Sequence, residues 1–174
     1  HPDNVAPAIL GGIISGVVKK GEDFKYIKIK PPKNLKAVVS IPNFYLSTET
    51  ARNILPKEIK RADAIFNISR AALLTSALFS NRLDLLEIAT EDKIHQDYRA
   101  KFIPNLKELF KETKKAGAYS TTISGAGSSI LALVKDDKKI IEKVSKAMHL
   151  SFKKKNVESV IKVLNIPPKG LIII

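Results

Sequence analysis

The chain lacks cysteine altogether. That excludes a disulfide framework and thiolate metal sites, and it suits a reducing compartment. It has a single methionine, Met148, and none at its start. No run approaches the roughly 18 continuous apolar residues of a membrane span, and no secretory signal is visible. No glycine loop is followed by the lysine of a Walker motif, and neither a dinucleotide fingerprint nor a zinc-ligand spacing occurs. A Ser/His/Asp arrangement is equally missing, and His95 and His149, without partners at metal-ligand spacing, read as structural. Acidic residues are scarce beside basic ones, 17 against 30, for a formal charge of +13. Such a charge suits nucleic acid, an acidic membrane surface or an anionic substrate. The lysines are scattered over amphipathic segments, however, with Lys153-Lys154-Lys155 the only tight run and no aromatic–basic interleaving. A solvated lysine-rich surface accounts for that pattern, and neither a nucleic-acid nor a membrane partner is expected.

What is present is a patterned globular sequence. An apolar fraction of 44% in 174 residues rules out a disordered chain and allows one domain, or one domain plus part of another. The chain opens on His1-Pro2-Asp3-Asn4-Val5-Ala6-Pro7, polar groups set against an apolar helix start. We expect this to be an active-site segment with more of the protein upstream. Asn4 is a good helix cap that leaves Pro7 where its missing N–H breaks no bond, so a short helix is expected from Asn4 to Gly11-Gly12. Ile13 to Val18 and Phe24 to Ile29 read as a hairpin. Pro31-Pro32 marks a boundary, with 1–31 the tail of one domain and 32–174 another.

Beyond it, Leu35 to Ile41 reads as a buried strand closed by Pro42, and Ser47-Thr48-Glu49-Thr50 as the cap of a short helix. Apolar residues at helical period between Glu58 and Leu78, including Ile59, Ile65 and Leu78, predict a long helix. A shorter one spans Leu83 to Ala89, and Thr90 to Arg99 is polar with a helical turn. Pro104 to Gly117 is helical, Tyr119 to Ile123 and Ile130 to Val134 are strands, and Asp136-Asp137 caps a helix through Phe152. Val157 to Leu164 and Leu171 to Ile174 are expected to close as strands. The order predicts an α+β architecture, helices packed on a mostly antiparallel sheet.

Three places invite chemistry. Ser124-Gly125-Ala126-Gly127-Ser128-Ser129 is a small-residue turn whose glycines either bring backbone N–H groups close to a ligand or simply form a tight hairpin. Arg52 and Arg99 carry the planar fork that suits a carboxylate or phosphate, though each alone also fits a surface ion pair. The polar helix start at Asp3-Asn4 is the third. These parts suit a small anionic substrate without naming a reaction.

In order along the chain, the same parts resemble the homoserine kinase family, within the superfamily of galactokinase, homoserine, mevalonate and phosphomevalonate kinases. His1 to Pro7 with Gly11-Gly12, Ser47-Thr48 with Ala51-Arg52 and Leu55-Pro56, Asp97-Tyr98-Arg99, and Ser124-Gly125-Ala126-Gly127 carry the resemblance. It implies a C-terminal ferredoxin-like domain with a remnant of the N-terminal nucleotide-binding domain. It also implies ATP- and Mg2+-dependent phosphorylation of L-homoserine on the way to threonine, in the cytoplasm, and it is compatible with a homodimer. Asn4 would hold the attacking hydroxyl, with His1 and Asp3 shaping its pocket. Arg52 and Arg99 would grip the substrate carboxylate beside Thr48, and Gly125, Ala126 and Gly127 would support the phosphate region. The family's phosphate-binding loop and magnesium carboxylate are expected upstream of His1, so these residues alone should bind ATP weakly or not at all. The residue after Gly127 is often proline in the family and is Ser128 here. A mevalonate-type kinase, or a non-enzymatic basic α+β binding module, is the alternative reading.

Overall fold

The computed structural model describes residues 2–18, 21 and 23–172, apart from the side chain of Asp3. Helix α1 spans Pro2–Leu10, three residues earlier than a cap at Asn4 predicts. Proline fits the first turn of a helix, because its fixed φ is preorganised and its missing N–H would be unpaired there anyway. Pro7 then lies inside the helix and forgoes one bond. Gly11 and Gly12, at φ 68° and 74°, end it. The hairpin follows as β1 (Ile13–Val17) and β2 (Lys25–Ile29), antiparallel with Ile13 opposite Ile29. The rings of Phe24 and Tyr26 stack 5.5 Å apart on one side of it.

The larger layer is a four-stranded sheet of β3 (Leu35–Pro42), β4 (Ser120–Ile123), β5 (Ile130–Lys135) and β6 (Ser159–Asn165). Across the sheet the order is β4-β5-β3-β6, every neighbour antiparallel. Taken as four strands, the second lies beside the third, then the first, then the fourth, with helices inserted after the first and the third. That is the ferredoxin-like βαββαβ plan, the α+β architecture expected from the sequence.

Helices α2 (Thr48–Asn53), α3 (Arg61–Phe79), α4 (Leu86–Ala89), α5 (Gln96–Arg99) and α6 (Leu106–Lys115) lie between β3 and β4. Helix α7 (Lys138–Lys153) joins β5 to β6. Residues 83–89 are not one helix: a 3-10 turn at Leu83–Leu85 precedes α4. Strand alternation puts Val38, Ile130, Ala132 and Val134 on one face, where Leu109 of α6 and Val144, Met148 and Phe152 of α7 bury them completely. Asp137 caps α7 by accepting the amide of Ile140, and Asn105 ties the start of α6 to α7 by donating to the carbonyl of Ser151. On the opposite face Leu35 and Leu133 meet Ala77 and Leu78 of α3 with Leu83 and Leu86. Ile59 and Ile65, expected on the covered stripe around α3, are exposed.

Residues 171 and 172 form no strand. The Leu171 amide donates instead to the carbonyl of Ile9, and the Gly12 amide to that of Pro167. The end of α1 is therefore clasped by the end of the sheet domain, backbone against backbone. A Cβ on Gly170 would sit 2.1 Å from the Ile9 carbonyl oxygen, and one on Gly11 only 2.3 Å from the Lys169 carbonyl carbon. Both contacts require glycine.

Two outcomes test this packing. Met148→Ala, which empties a fully enclosed site, should lower unfolding free energy by about 2–5 kcal/mol in denaturant titration, with no change in slope. Gly170→Ala should cost about 1–3 kcal/mol by forcing α1 off the clasp, and should speed hydrogen exchange at Leu171. Unchanged protection at that amide would refute the clasp.

Candidate functional site

Helix α2 forms because Ser47 caps it. The Ser47 backbone is extended, its Oγ accepts the Thr50 amide at 3.0 Å, and the same hydroxyl meets Thr50 Oγ1 at 2.8 Å. The cap fixes the phase of the helix, so Ala51 is fully buried while Thr48 and Arg52 stand exposed beside it. Arg52 has no carboxylate partner among the described residues.

Arg99, at the last position of α5, is half-buried. Its Nε donates to the Ala51 carbonyl at 3.2 Å and its Nη1 to the Gly125 carbonyl at 3.0 Å. Both acceptors are neutral, so the guanidinium is oriented without its charge being cancelled. It also joins three segments distant in sequence: α2 next to Arg52, α5, and the turn between β4 and β5. The two arginines that sequence reading singled out separately thus meet through one residue, Ala51.

The turn is built for close packing on one side and openness on the other. Ser124 and Ser129 close it through an amide–carbonyl bond of 2.8 Å, and Gly127 donates to Ser124. Gly127, at φ 94°, has no room for a side chain without pressing on Ile103 and Ile123, each 3.3 Å from an added Cβ. Gly125, at φ 58°, needs glycine for its backbone alone, since nothing lies within 4 Å of an added Cβ. Ser128 fastens the turn to the segment that leads into α2: its hydroxyl donates to the Phe44 carbonyl at 2.8 Å.

Sequence reading missed what holds α5. Asp92 accepts the amides of Ile94, His95 and Gln96 and the Asn67 side-chain amide, while Asn67 accepts the amide of Lys93. Half-burial pushes the Asp92 carboxyl up, but the donors from Asn67, Gln96, Ile94 and His95 outweigh it and hold the group below the usual carboxylate range. Gln96 in turn accepts the outward amide of Ile123 on edge strand β4 at 2.9 Å. An Asp just ahead of a polar helical turn is a cap signal, and it was available in the sequence.

Asn4 lies exposed on α1, whose far end is moored by the Gly11–Gly170 clasp. His1 and the side chain of Asp3 lie outside the described residues. A cavity of about 500 Å3 opens on the other side of α5, among Phe66, Lys93, Gln96, Lys111, Tyr119 and Thr121; neither arginine lines it. No group of three or more His, Asp or Glu residues among the described ones could hold a metal ion, and no described helix is long and apolar enough to cross a membrane.

Comparison with known proteins agrees with the fold. The model of the GHMP kinase C-terminal family matches residues 72–150, which run from the middle of α3 to near the end of α7. Homoserine kinase of Persephonella marina is 45% identical over 98% of the chain, and that of Halothermothrix orenii 39% identical over 99%. The chain spans about half the length of these relatives, 55% and 54%. The crystal structure of homoserine kinase from Cytophaga hutchinsonii superposes with a TM-score of 0.89 at 32% identity, covering 98% of this chain and 53% of that one. With its ferredoxin-like sheet, its glycine turn and an identity of this order over nearly every residue, the chain contains a GHMP kinase C-terminal domain and is a homologue of the homoserine kinases.

Proposed function

We propose that the protein containing this chain transfers the γ-phosphate of ATP to L-homoserine, and that these residues supply its carboxylate-binding side. The observation that carries the reading is the pair of arginines without carboxylate partners among the described residues. Arg99 is aimed by two backbone carbonyls, and Arg52 rises from the helix that provides one of them. An amino-acid carboxylate is a planar anion that matches such forks. Thr48, exposed one turn before Arg52 on α2, lines the same side.

In this reading the substrate's hydroxyl oxygen attacks the γ-phosphorus, the bond from that phosphorus to the leaving ADP oxygen breaks, and the hydroxyl proton is released. Little covalent work falls to the protein, so positioning and charge stabilisation dominate. Asn4 orients the hydroxyl by accepting a hydrogen bond from it, with His1 and Asp3 beside it, and the proton passes to solvent as the phosphoryl group is transferred. Gly125, Ala126 and Gly127 back the phosphate region, where the open side of Gly125 lets a ligand approach the backbone. The kinase homologues support use of ATP. Mg2+ is assigned no ligand in this chain, because no carboxylate group among the described residues is arranged to hold it. The reading takes residues 1–31 as the tail of the nucleotide-binding domain, supported by a hairpin whose strands, among the described residues, pair only with each other. A cytoplasmic setting follows from the same reading.

The test is ADP release by the whole protein with L-homoserine, compared with mevalonate and with no acceptor. Homoserine-dependent turnover is expected. Arg52→Ala should raise the KM for homoserine about 10- to 100-fold, the loss of one or two hydrogen bonds to a charged group, with the KM for ATP little changed. Release driven by mevalonate instead, or RNA binding that falls steeply with salt and no kinase activity, would overturn the assignment.

A further inference from the structure

Helix α5 is four residues long. A single helical turn has no stability of its own in water, since nucleation costs more than one bond returns. Its place must therefore be set by what ties its ends. At its start, the Lys93 amide donates to Asn67 Oδ1 at 3.0 Å, the Ile94 amide to Asp92 Oδ1 at 3.0 Å, and the His95 amide to Asp92 Oδ2 at 2.8 Å. The Gln96 amide also donates to Asp92 Oδ2. Two side chains thus satisfy four successive amides, the three that lead into α5 and that of its first residue. Asn67 Nδ2 donates back to Asp92 Oδ1, so the two act as one unit.

That unit rests on a rigid support. Asn67 lies in the middle of α3, a helix of 19 residues. On the same helix, Arg70 pairs with Glu91 at 2.9 Å and stacks 3.5 Å from the Phe66 ring, and Lys93 reaches that ring at 4.4 Å. The segment from Glu91 to Lys93 is consequently pinned to α3 on both sides of Asp92. At the other end of α5 the Arg99 amide donates to the His95 carbonyl, and its guanidinium reaches α2 and the glycine turn. One continuous set of bonds runs from α3 through Asp92 to Arg99.

We propose that Asp92, backed by Asn67, is a positioning residue that sets where the Arg99 guanidinium stands and thereby the affinity for the substrate carboxylate. Asp92 does not touch that carboxylate; it acts through the start of α5. The proposal rests on the reading of Arg99 as a carboxylate ligand. Other candidates carry less. The cavity beside Tyr119 and Lys111 has no buried unpartnered polar group aimed into it, and the exposed stripe of Ile65 and Ile68 on α3 has nothing to show what covers it.

The experiment compares Asp92→Ala, Asn67→Ala, Arg99→Ala and the Asp92→Ala/Arg99→Ala pair in the whole protein, with initial rates against L-homoserine and against ATP. Asp92→Ala should raise the KM for homoserine about tenfold, as for the loss of a charge-assisted contact, while kcat and the KM for ATP stay within about twofold. The double variant should be no worse than Arg99→Ala, because both act on the same contact. Additive losses, or an equal fall in every parameter, would mean a purely structural cap and would overturn the proposal. So would an unchanged KM in Asp92→Ala where Arg99→Ala raises it, and that result would leave the kinase reading intact. An unchanged KM in Arg99→Ala would sink both. Should Asp92→Ala not fold, Asp92→Asn, which keeps one acceptor oxygen, carries the same comparison.

Discussion

The arrangement turns on a guanidinium held by carbonyls. A carboxylate partner would orient Arg99 equally well but would also neutralise it, leaving little to attract an anion. Backbone carbonyls fix the plane of the group and take two of its donors, while the net charge and the remaining donors stay available. Because the acceptors belong to Ala51 and Gly125, the same contact sets the separation of α2 from the β4–β5 turn. Ser128 repeats the connection a few residues away through Phe44. The site is thus a meeting of loops and helix ends at one end of a sheet that has a face closed by α6 and α7.

That mounting explains why so much of the chain is spent away from the site. The ferredoxin-like sheet supplies a rigid floor, and Gln96 blunts its edge by taking the Ile123 amide. Through α5 that edge cover becomes a support for Arg99. In the proposed reading the second half of the site comes in on α1, which touches the sheet domain where glycine meets glycine, at Gly11 and Gly170. Three short helices, α1, α2 and α5, therefore carry the named polar groups, and α1 and α5 are placed by hydrogen bonds to their backbone rather than by broad apolar faces.

The sheet and its cover were legible in the sequence because period and caps speak directly. Leu35 to Ile41 is an apolar-rich run buried on both faces, Asp137 precedes an amphipathic run, and Ser47 opens the polar cap ahead of Ala51. The arginines stood out by residue type. Misreadings came where a local pattern has two physical outcomes. Periodicity showed that α3 has apolar faces but not which is covered, so Ile59 and Ile65 turned out exposed and Ala77 and Leu78 enclosed. The apolar run from Leu171 has strand composition, yet with the end of α1 as its partner residues 171 and 172 stay irregular. Pro2 outweighed Asn4 at the helix start. Asp92 was overlooked for a different reason: its bonds are local, but their importance comes from what α5 carries at its other end.

The account stands or falls on where the substrate carboxylate goes. The direct measurement is a crystal structure of the whole protein with L-homoserine bound. The carboxylate should lie within hydrogen-bond distance of Arg99 and Arg52, with Arg99 still held by the carbonyls of Ala51 and Gly125. A carboxylate bound elsewhere, with the two arginines facing solvent, would contradict it.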